Sequence, residues 1–297
     1  MNSILTKQRK IMPYIAGSIV LGGIAVAIYR RRQFSKCTAG HTFKGIFNSV
    51  ELPIVKIIEE THDTKRFIFQ LPADSTNNGL TLSSMILASA KVQDGSNVTR
   101  PYTPINKVDS AENIELLVKH MPQGKMSGHL FGLNVGDKVS FRGSVSTYKY
   151  VPNKFDVMTL LGAGSGITPL YQLAHNVIEN PQNKTKIKLL YGNKTVEDIP
   201  FKKELDQLQN KYPENFEVVY FVSDPKASDF KGEIGNISKD YLKANIAHPQ
   251  ENTQLFVCGP SGFMKAVSGE KKNLIIQGSL SGYLQELGYS KSQVHKF

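Results

Sequence analysis

Cysteine is nearly absent: Cys37 and Cys258 are the only two in 297 residues. Two thiols cannot build a disulfide framework, and they fit a reducing environment. No Cys/His cluster has the spacing of a structural zinc site, so no metal is expected. No Gly-Lys-Ser/Thr follows a glycine-rich run, which excludes an ATP-binding phosphate loop. Acidic residues are missing from the first 50 positions, where eight Lys and Arg stand. The net charge of +11 less those eight leaves +3 on the remainder. That mild excess argues against nucleic acid as a partner and suits an acidic protein.

What is present begins with an uncharged run, Ile11 to Tyr29, flanked by Lys7, Arg9 and Lys10 on one side and Arg30–Arg32 on the other. As a helix its 19 residues span about 28 Å, close to one hydrocarbon core. A buried core helix and a cleaved secretory signal are the competing readings. The first would need a polar face that the run lacks, and the second would not carry arginines so close behind it. The expectation is a membrane anchor within residues 1–33. Equal basic flanks leave its orientation open. The lack of acidic residues resembles mitochondrial targeting segments and favours a mitochondrial membrane.

Residues 34–50 read as a linker, 51–152 as a first domain and 153–297 as a second. In the first, Arg66–Leu71, Ile114–His120 and Lys138–Phe141 have strand character, with Pro72 and Gly136-Asp137 as stops. Their spacing predicts an antiparallel barrel. After residue 153 the period changes. Val157–Leu161, Ile187–Tyr191, Phe216–Val222 and Gln254–Cys258 are apolar runs suited to buried parallel strands. Leu170, Leu173, Ala174, Val177 and Ile178 recur at helical spacing, with Thr168 as the expected N-cap and Pro169 as first helical residue. Phe201, Leu205 and Leu208 mark another helix. Alternation of this kind predicts a Rossmann-like parallel sheet with helices on both faces.

Four short motifs carry the chemistry, in order along the chain. Arg100-Pro101-Tyr102-Thr103 offers a guanidinium for a phosphate, a ring for stacking and a hydroxyl. Gly124-Lys125-Met126-Ser127 offers backbone N–H groups and a hydroxyl to a pyrophosphate. Gly162-x-Gly164-x-Gly166 lets backbone approach a ligand at a strand–helix turn, although Ile167 stands where a third fingerprint glycine belongs. Cys258-Gly259-Pro260 ends a strand where ligands of open sheets collect. Each motif alone is also compatible with a strand end, a solvated turn or an inert buried cysteine.

Together these residues resemble the ferredoxin–NADP reductase superfamily and, within it, the NADH–cytochrome b5 reductases, above all their fungal mitochondrial form. The likeness runs from about Glu51 to Phe297 and includes Leu-Tyr-Gly-Asn-Lys-Thr at 190–195 and the ending Gly-Tyr-Ser-Lys-Ser-Gln-Val-His-Lys-Phe. The resemblance implies an FAD-binding barrel followed by an NADH domain. It implies a hydride passed from NADH to FAD and single electrons passed on to cytochrome b5. A ferredoxin or a quinone is the alternative acceptor, and a membrane-tethered nucleotide-binding adaptor is the non-enzymatic alternative.

By the same resemblance, Arg100, Pro101, Tyr102 and Thr103 hold the FAD, Leu117, Lys119 and Met121 line it, and Gly124, Lys125, Met126 and Ser127 bind its pyrophosphate. Thr168 closes from the second domain. Gly164, Gly166, Cys258, Gly259 and Pro260 frame NADH. His62 pairs with Thr103 by a hydrogen bond and relays a proton. Two departures stand out. Ser261 and Gly262 replace two prolines, which predicts a looser loop. The acidic residue that favours NADH over NADPH aligns with Ser223, leaving Asp224 one position along. The resemblance places a monomer on the mitochondrial outer membrane, or in the intermembrane space if the anchor is processed.

Overall fold

The computed structural model describes residues 40–108, 110–224 and 230–297. The expected anchor, Ile11–Tyr29, lies outside them. Among the described residues no helix is long and apolar enough to cross a membrane.

From Thr42 onward the chain forms one compact unit with two sheets. The first is antiparallel, with strands β1 (Gly45–Thr61), β2 (Thr64–Gln70), β3 (Ser84–Lys91), β4 (Asn97–Tyr102), β5 (Asn113–Lys119) and β6 (Lys138–Ser146) in the order β4-β3-β6-β1-β2-β5. Alternating residues face its core, where the Phe69 and Phe141 rings meet edge-on at 4.9 Å beside Leu52, Ile54 and Phe67. Burial of each such side chain contributes about 1.5–3 kcal/mol. β1 starts at Gly45, inside the stretch read as linker. Its first turn bulges off β6 between Gly45 and Ser49, so its opening residues show no alternation to read. One helix, α1 (Lys125–Phe131), precedes β6.

The second sheet is parallel in every ladder. Its strands are β7 (Val157–Ala163), β8 (Lys186–Asn193), β9 (Phe216–Val222), β10 (Glu233–Ile234), β11 (Thr253–Cys258) and β12 (Val294–Lys296), in the order β10-β9-β8-β7-β11-β12. Helices α2 (Ile167–Ile178) and α3 (Lys202–Lys211) cover one face through Leu170, Leu173 and Leu205. Helices α4 (Lys239–Asn245), α5 (Ser261–Val267) and α6 (Gly282–Glu286) cover the other through Leu242, Met264 and Leu284. The order reverses between β7 and β11. Crevices at the carboxyl ends of such strands bind ligands in open α/β sheets.

Thr168 is not the N-cap. A 3₁₀ turn at Gly164–Gly166 starts the coil early, so Gly166 caps α2 and Thr168 lies within its first turn.

The two lobes are tied by polar contacts, buried at Gln172 and half-buried at Arg66. Gln172 of α2 accepts from Ser83 N at 2.9 Å and donates to Pro104 O at 2.8 Å, fully buried. Arg66 reaches Glu60 at 2.8 Å and Glu204 at 2.7 Å and lies over the Phe201 ring. Phe201 N donates to Glu60 Oε1, which helps hold Phe201 at a positive φ of 59°. Leaving the buried Gln172 amide unpaired would cost about 1–3 kcal/mol, and the half-buried Arg66 adds a second tie between the lobes.

Candidate functional site

The edge strands β4 and β5 make no ladder with each other. The chain beyond β4 crosses to β5 instead, where Ile105 N donates to Glu115 O at 2.9 Å. Both edges open onto a cavity of about 1030 Å³. It collects all twelve residues expected at the flavin: Arg100, Pro101, Tyr102 and Thr103 from β4 and its end, Leu117 and Lys119 from β5, Met121, Gly124, Lys125, Met126 and Ser127 at α1, and Thr168 from the parallel lobe. Cys258, expected at the nicotinamide, lines it too.

Their states differ. Arg100 is exposed, donates to Thr99 O at 2.8 Å, and among the described residues has no carboxylate partner. Its charge is free for an anion. Burial pushes the Tyr102 phenol up to about 12, so it stays protonated at neutral pH. Ser127 Oγ donates to Gly124 O at 3.0 Å and accepts from Met121 N at 3.1 Å. Its hydroxyl therefore braces the turn, contrary to the expectation of a free pyrophosphate donor. A Cβ at Gly124 would meet Ser127 Oγ and, at 2.8 Å, Met121 Cβ. Only glycine fits there. Lys125 pairs with Asp94 at 2.7 Å on the surface, holding that carboxyl well below the usual range together with Ser96.

Lys119 stands at the boundary with a second cavity of about 510 Å³ and lines both. Its Nζ lies 2.8 Å from Asp63 Oδ2 and 3.7 Å from Asp198 Oδ1. Burial alone would raise the Asp63 pKa, but hydrogen bonds from Lys119, Thr64 and Thr61 win and lower it. His62 joins this cluster, two-thirds exposed, with Nε2 at 3.8 Å from Asp63 and 3.7 Å from Asp198. No hydrogen bond joins His62 to Thr103. In place of the expected pair, His62 stands beside Asp63 and Asp198, while Thr103 lines the larger cavity. The atoms of His62, Asp63 and Asp198 lie close enough to hold an ion; Lys119 supplies their positive charge.

The second cavity follows the ends of β7, β8 and β9. It is lined by Gly164 and Pro260 as expected, and by Asn193, Lys194 and Ser223. Gly164 needs its positive φ of 53°, and the buried Tyr191 hydroxyl donates to its carbonyl at 3.1 Å. Gly166 and Gly259 do not line the space; they let the loops meet. A Cβ on Gly166 would strike the Cys258 carbonyl and come within 2.7 Å of Gly259 N. Burial pushes the Cys258 thiol up to about 12, so it is not a thiolate nucleophile. Ser261 and Gly262 form the first turn of α5, so the looser loop expected from two missing prolines is a helix start. Ser223 lines the cavity; Asp224 does not, and its N–H is held by Lys194 O at 2.9 Å.

Sequence reading missed Met85, Thr147, Lys271 and Phe297 in the large cavity and Asp198 in the small one. Only Phe297 falls in a stretch quoted above, the ending at 288–297, and no site role was read from it.

Two lobes, two cavities and a shared lysine define the class. Residues 51–150 match the family described as oxidoreductase FAD-binding domain, and residues 160–269 match the oxidoreductase NAD-binding domain. The protein is an FAD-dependent oxidoreductase that uses NADH. The chain is 49% identical to NADH-cytochrome b5 reductase 2 of Saccharomyces cerevisiae, covering 97% of both chains. It is 49% identical to the Kluyveromyces lactis protein of the same name over 99% of both. Among solved structures it resembles the cytochrome b5 reductase domain of Ulva prolifera nitrate reductase, with TM-score 0.75 and 25% identity over 86% of this chain and 100% of that one. The chain belongs to the NADH–cytochrome b5 reductase family.

Proposed function

We propose that this chain is a membrane-anchored reductase that carries electrons from NADH through FAD to cytochrome b5. The observation that carries the reading is the single cavity in which every flavin motif residue meets, joined at Lys119 to the cavity of the nucleotide turns. The space fits a dinucleotide, being at the upper end of small-molecule sites. An unpaired guanidinium and a turn closed to any Cβ suit phosphate oxygens.

Bound FAD supplies acceptance of a hydride, return of its two electrons one at a time to two haems, and release of one proton. The residues do the positioning. Arg100 holds a phosphate and Tyr102 packs on the flavin side of the cavity. Thr103 offers its hydroxyl to a ring heteroatom. Thr168, from the opposite lobe, closes the site. Gly164, Gly166, Gly259 and Pro260 set the nicotinamide nucleotide against it, with Cys258 on the wall of the larger cavity. His62 acts at the rim through the carboxylates it shares with Lys119. Asp224 favours NADH over NADPH by repelling a 2′-phosphate.

The antiparallel sheet serves as the FAD-binding barrel. Ile11–Tyr29 anchors the monomer in the mitochondrial outer membrane; its support is the uncharged length with basic flanks. Protease protection and carbonate extraction of isolated mitochondria test that placement. Release of the full chain by carbonate would end it. For the activity, the purified full-length protein in detergent should be yellow, bleach with one equivalent of NADH, and reduce two equivalents of cytochrome b5. A flavin that NADH reduces but that does not reduce cytochrome b5 would overturn the acceptor.

A further inference from the structure

The segment 269–278, between α5 and α6, has two faces. Its inner face, Lys271, Asn273 and Leu274, lines the large cavity. Its outer face exposes Ile275 and Ile276, 72% and 51% accessible, and Leu274, 47% accessible, stands at the edge between the two faces. Contiguous exposed aliphatic groups are a feature of interaction sites.

This tip is built. Asn273 Oδ1 accepts from Ile275 N at 2.9 Å and Ile276 N at 2.8 Å. Lys272 N donates to Ile276 O at 3.0 Å, closing the turn. Lys271 Nζ donates to Leu274 O at 2.8 Å. The base is pinned from the C-terminal strand. The buried Lys296 ammonium donates to Ser279 O at 2.7 Å and Glu270 O at 3.2 Å, and Lys296 N donates to Gln277 Oε1 at 2.7 Å. A tip held this firmly presents its aliphatic groups at little further entropy cost on binding.

The tip itself carries only basic charge. From Lys271 to Gly278 the sequence contains no acidic residue. Among the described residues, no carboxylate lies in ion-pair range of Lys271 or Lys272. The nearest one in sequence, Glu270, is engaged by Lys265 at 3.8 Å and by the Ser261 hydroxyl. The surface is therefore an aliphatic centre with one exposed ammonium, Lys272, at its edge, which suits an acidic protein with an apolar centre. Anything seated on it lies at the mouth of the cofactor cavity, one residue from side chains that line it.

We infer that the Leu274–Ile276 tip, with Lys272 beside it, is a docking surface for the electron-accepting cytochrome b5. This rests on the functional reading above, and the experiment separates the two. The full-length double variant Ile275→Asp/Ile276→Asp changes two side chains that do not line either cavity. With NADH saturating, kcat/KM for cytochrome b5 should fall about tenfold or more, the scale of losing a central apolar contact. Ferricyanide reduction and anaerobic bleaching by NADH should stay within about twofold of wild type. Ile275→Ser/Ile276→Ser should give a smaller loss in the same direction, which removes repulsion by the new carboxylates as the cause. Unchanged cytochrome b5 kinetics would overturn the inference. So would an equal fall with ferricyanide, which would make the segment part of the nucleotide site. Weaker vesicle binding with intact cytochrome b5 reduction would assign the tip to lipid instead. A wild type that fails to reduce cytochrome b5 would sink the acceptor reading rather than the surface.

Discussion

The antiparallel lobe lines its cavity with side chains from two strand edges, whereas the parallel lobe brings backbone turns together at the ends of its strands. Arg100, Tyr102, Leu117 and Lys119 shape that space by what they carry. Gly164, Gly166 and Gly259 shape the turns by what they lack. An edge strand leaves room for long side chains because nothing pairs beside it. A strand–helix turn at a switch point must bring two loops nearly into contact, so a methyl group too many is a collision. The two lobes should therefore fail differently, gradually on one side and abruptly on the other.

The largest effect is expected at Gly166. Gly166→Val sets side-chain atoms against the Cys258 carbonyl and Gly259 N, both backbone and unable to yield. Overpacking of this kind costs about 1–3 kcal/mol or more. NADH-driven flavin reduction should fall by roughly a hundredfold at a fixed NADH concentration while FAD absorbance is retained. Normal bleaching kinetics would break the contrast between the lobes.

Arg100→Ala tests the other side. A phosphate would lose a charge-assisted partner, about 1.5–3 kcal/mol, so FAD should be lost ten- to a hundredfold more readily during dialysis. The apoprotein should still fold, since Arg100 is exposed and bonds only to a neighbouring carbonyl. Equal flavin retention would remove Arg100 from the site.

Acid should strike the parallel lobe through His295. Its ring lies among Tyr148, Phe256 and Phe297, and its Nε2 has no partner. Burial, aided by the Lys271 ammonium, pushes its pKa down to about 4. The unfolded chain binds the proton more readily, at about 6.5. The stability from a neutral His295 is thus full above pH 6.5 and is lost as pH falls toward 4. His295→Phe should flatten that fall, gaining about 2 kcal/mol over wild type near pH 4.5 and little at pH 7. Parallel unfolding curves for the two proteins across this range would contradict it.

The smallest effect is expected at Asp224, which lies beside the nucleotide cavity rather than in it. Asp224→Ala should narrow the NADH preference by about two- to fivefold in kcat/KM, the scale of one charge at a partly solvated site. An unchanged ratio would pass the role to the lining residues Ser223 and Lys194.

Strand and helix segments of the parallel lobe were legible because apolar period reports burial directly: Phe216–Val222 is a strand with those same ends. β1 was hidden by its bulge, and the opening turn of α2 by a 3₁₀ start that shifts the cap from Thr168 to Gly166. In the site, Arg100 and Gly124 were readable from type and spacing. His62 was not, since the partner of a rim imidazole depends on which carboxylates the other lobe brings near it. The same holds for Asp198, which comes within 3.7 Å of Lys119 from the segment after β8.

The sequence by itself determined the two-lobe order, the motif residues and the family, because these rest on local pattern and on identities that span the chain. Tertiary structure alone decided which groups share a cavity and that Lys119 stands between two of them. It also decided that the C-terminal strand pins an aliphatic tip beside the flavin site. Those facts join residues as distant as Asp63 and Asp198, or Leu274 and Arg100, and no local periodicity encodes a contact between segments that far apart.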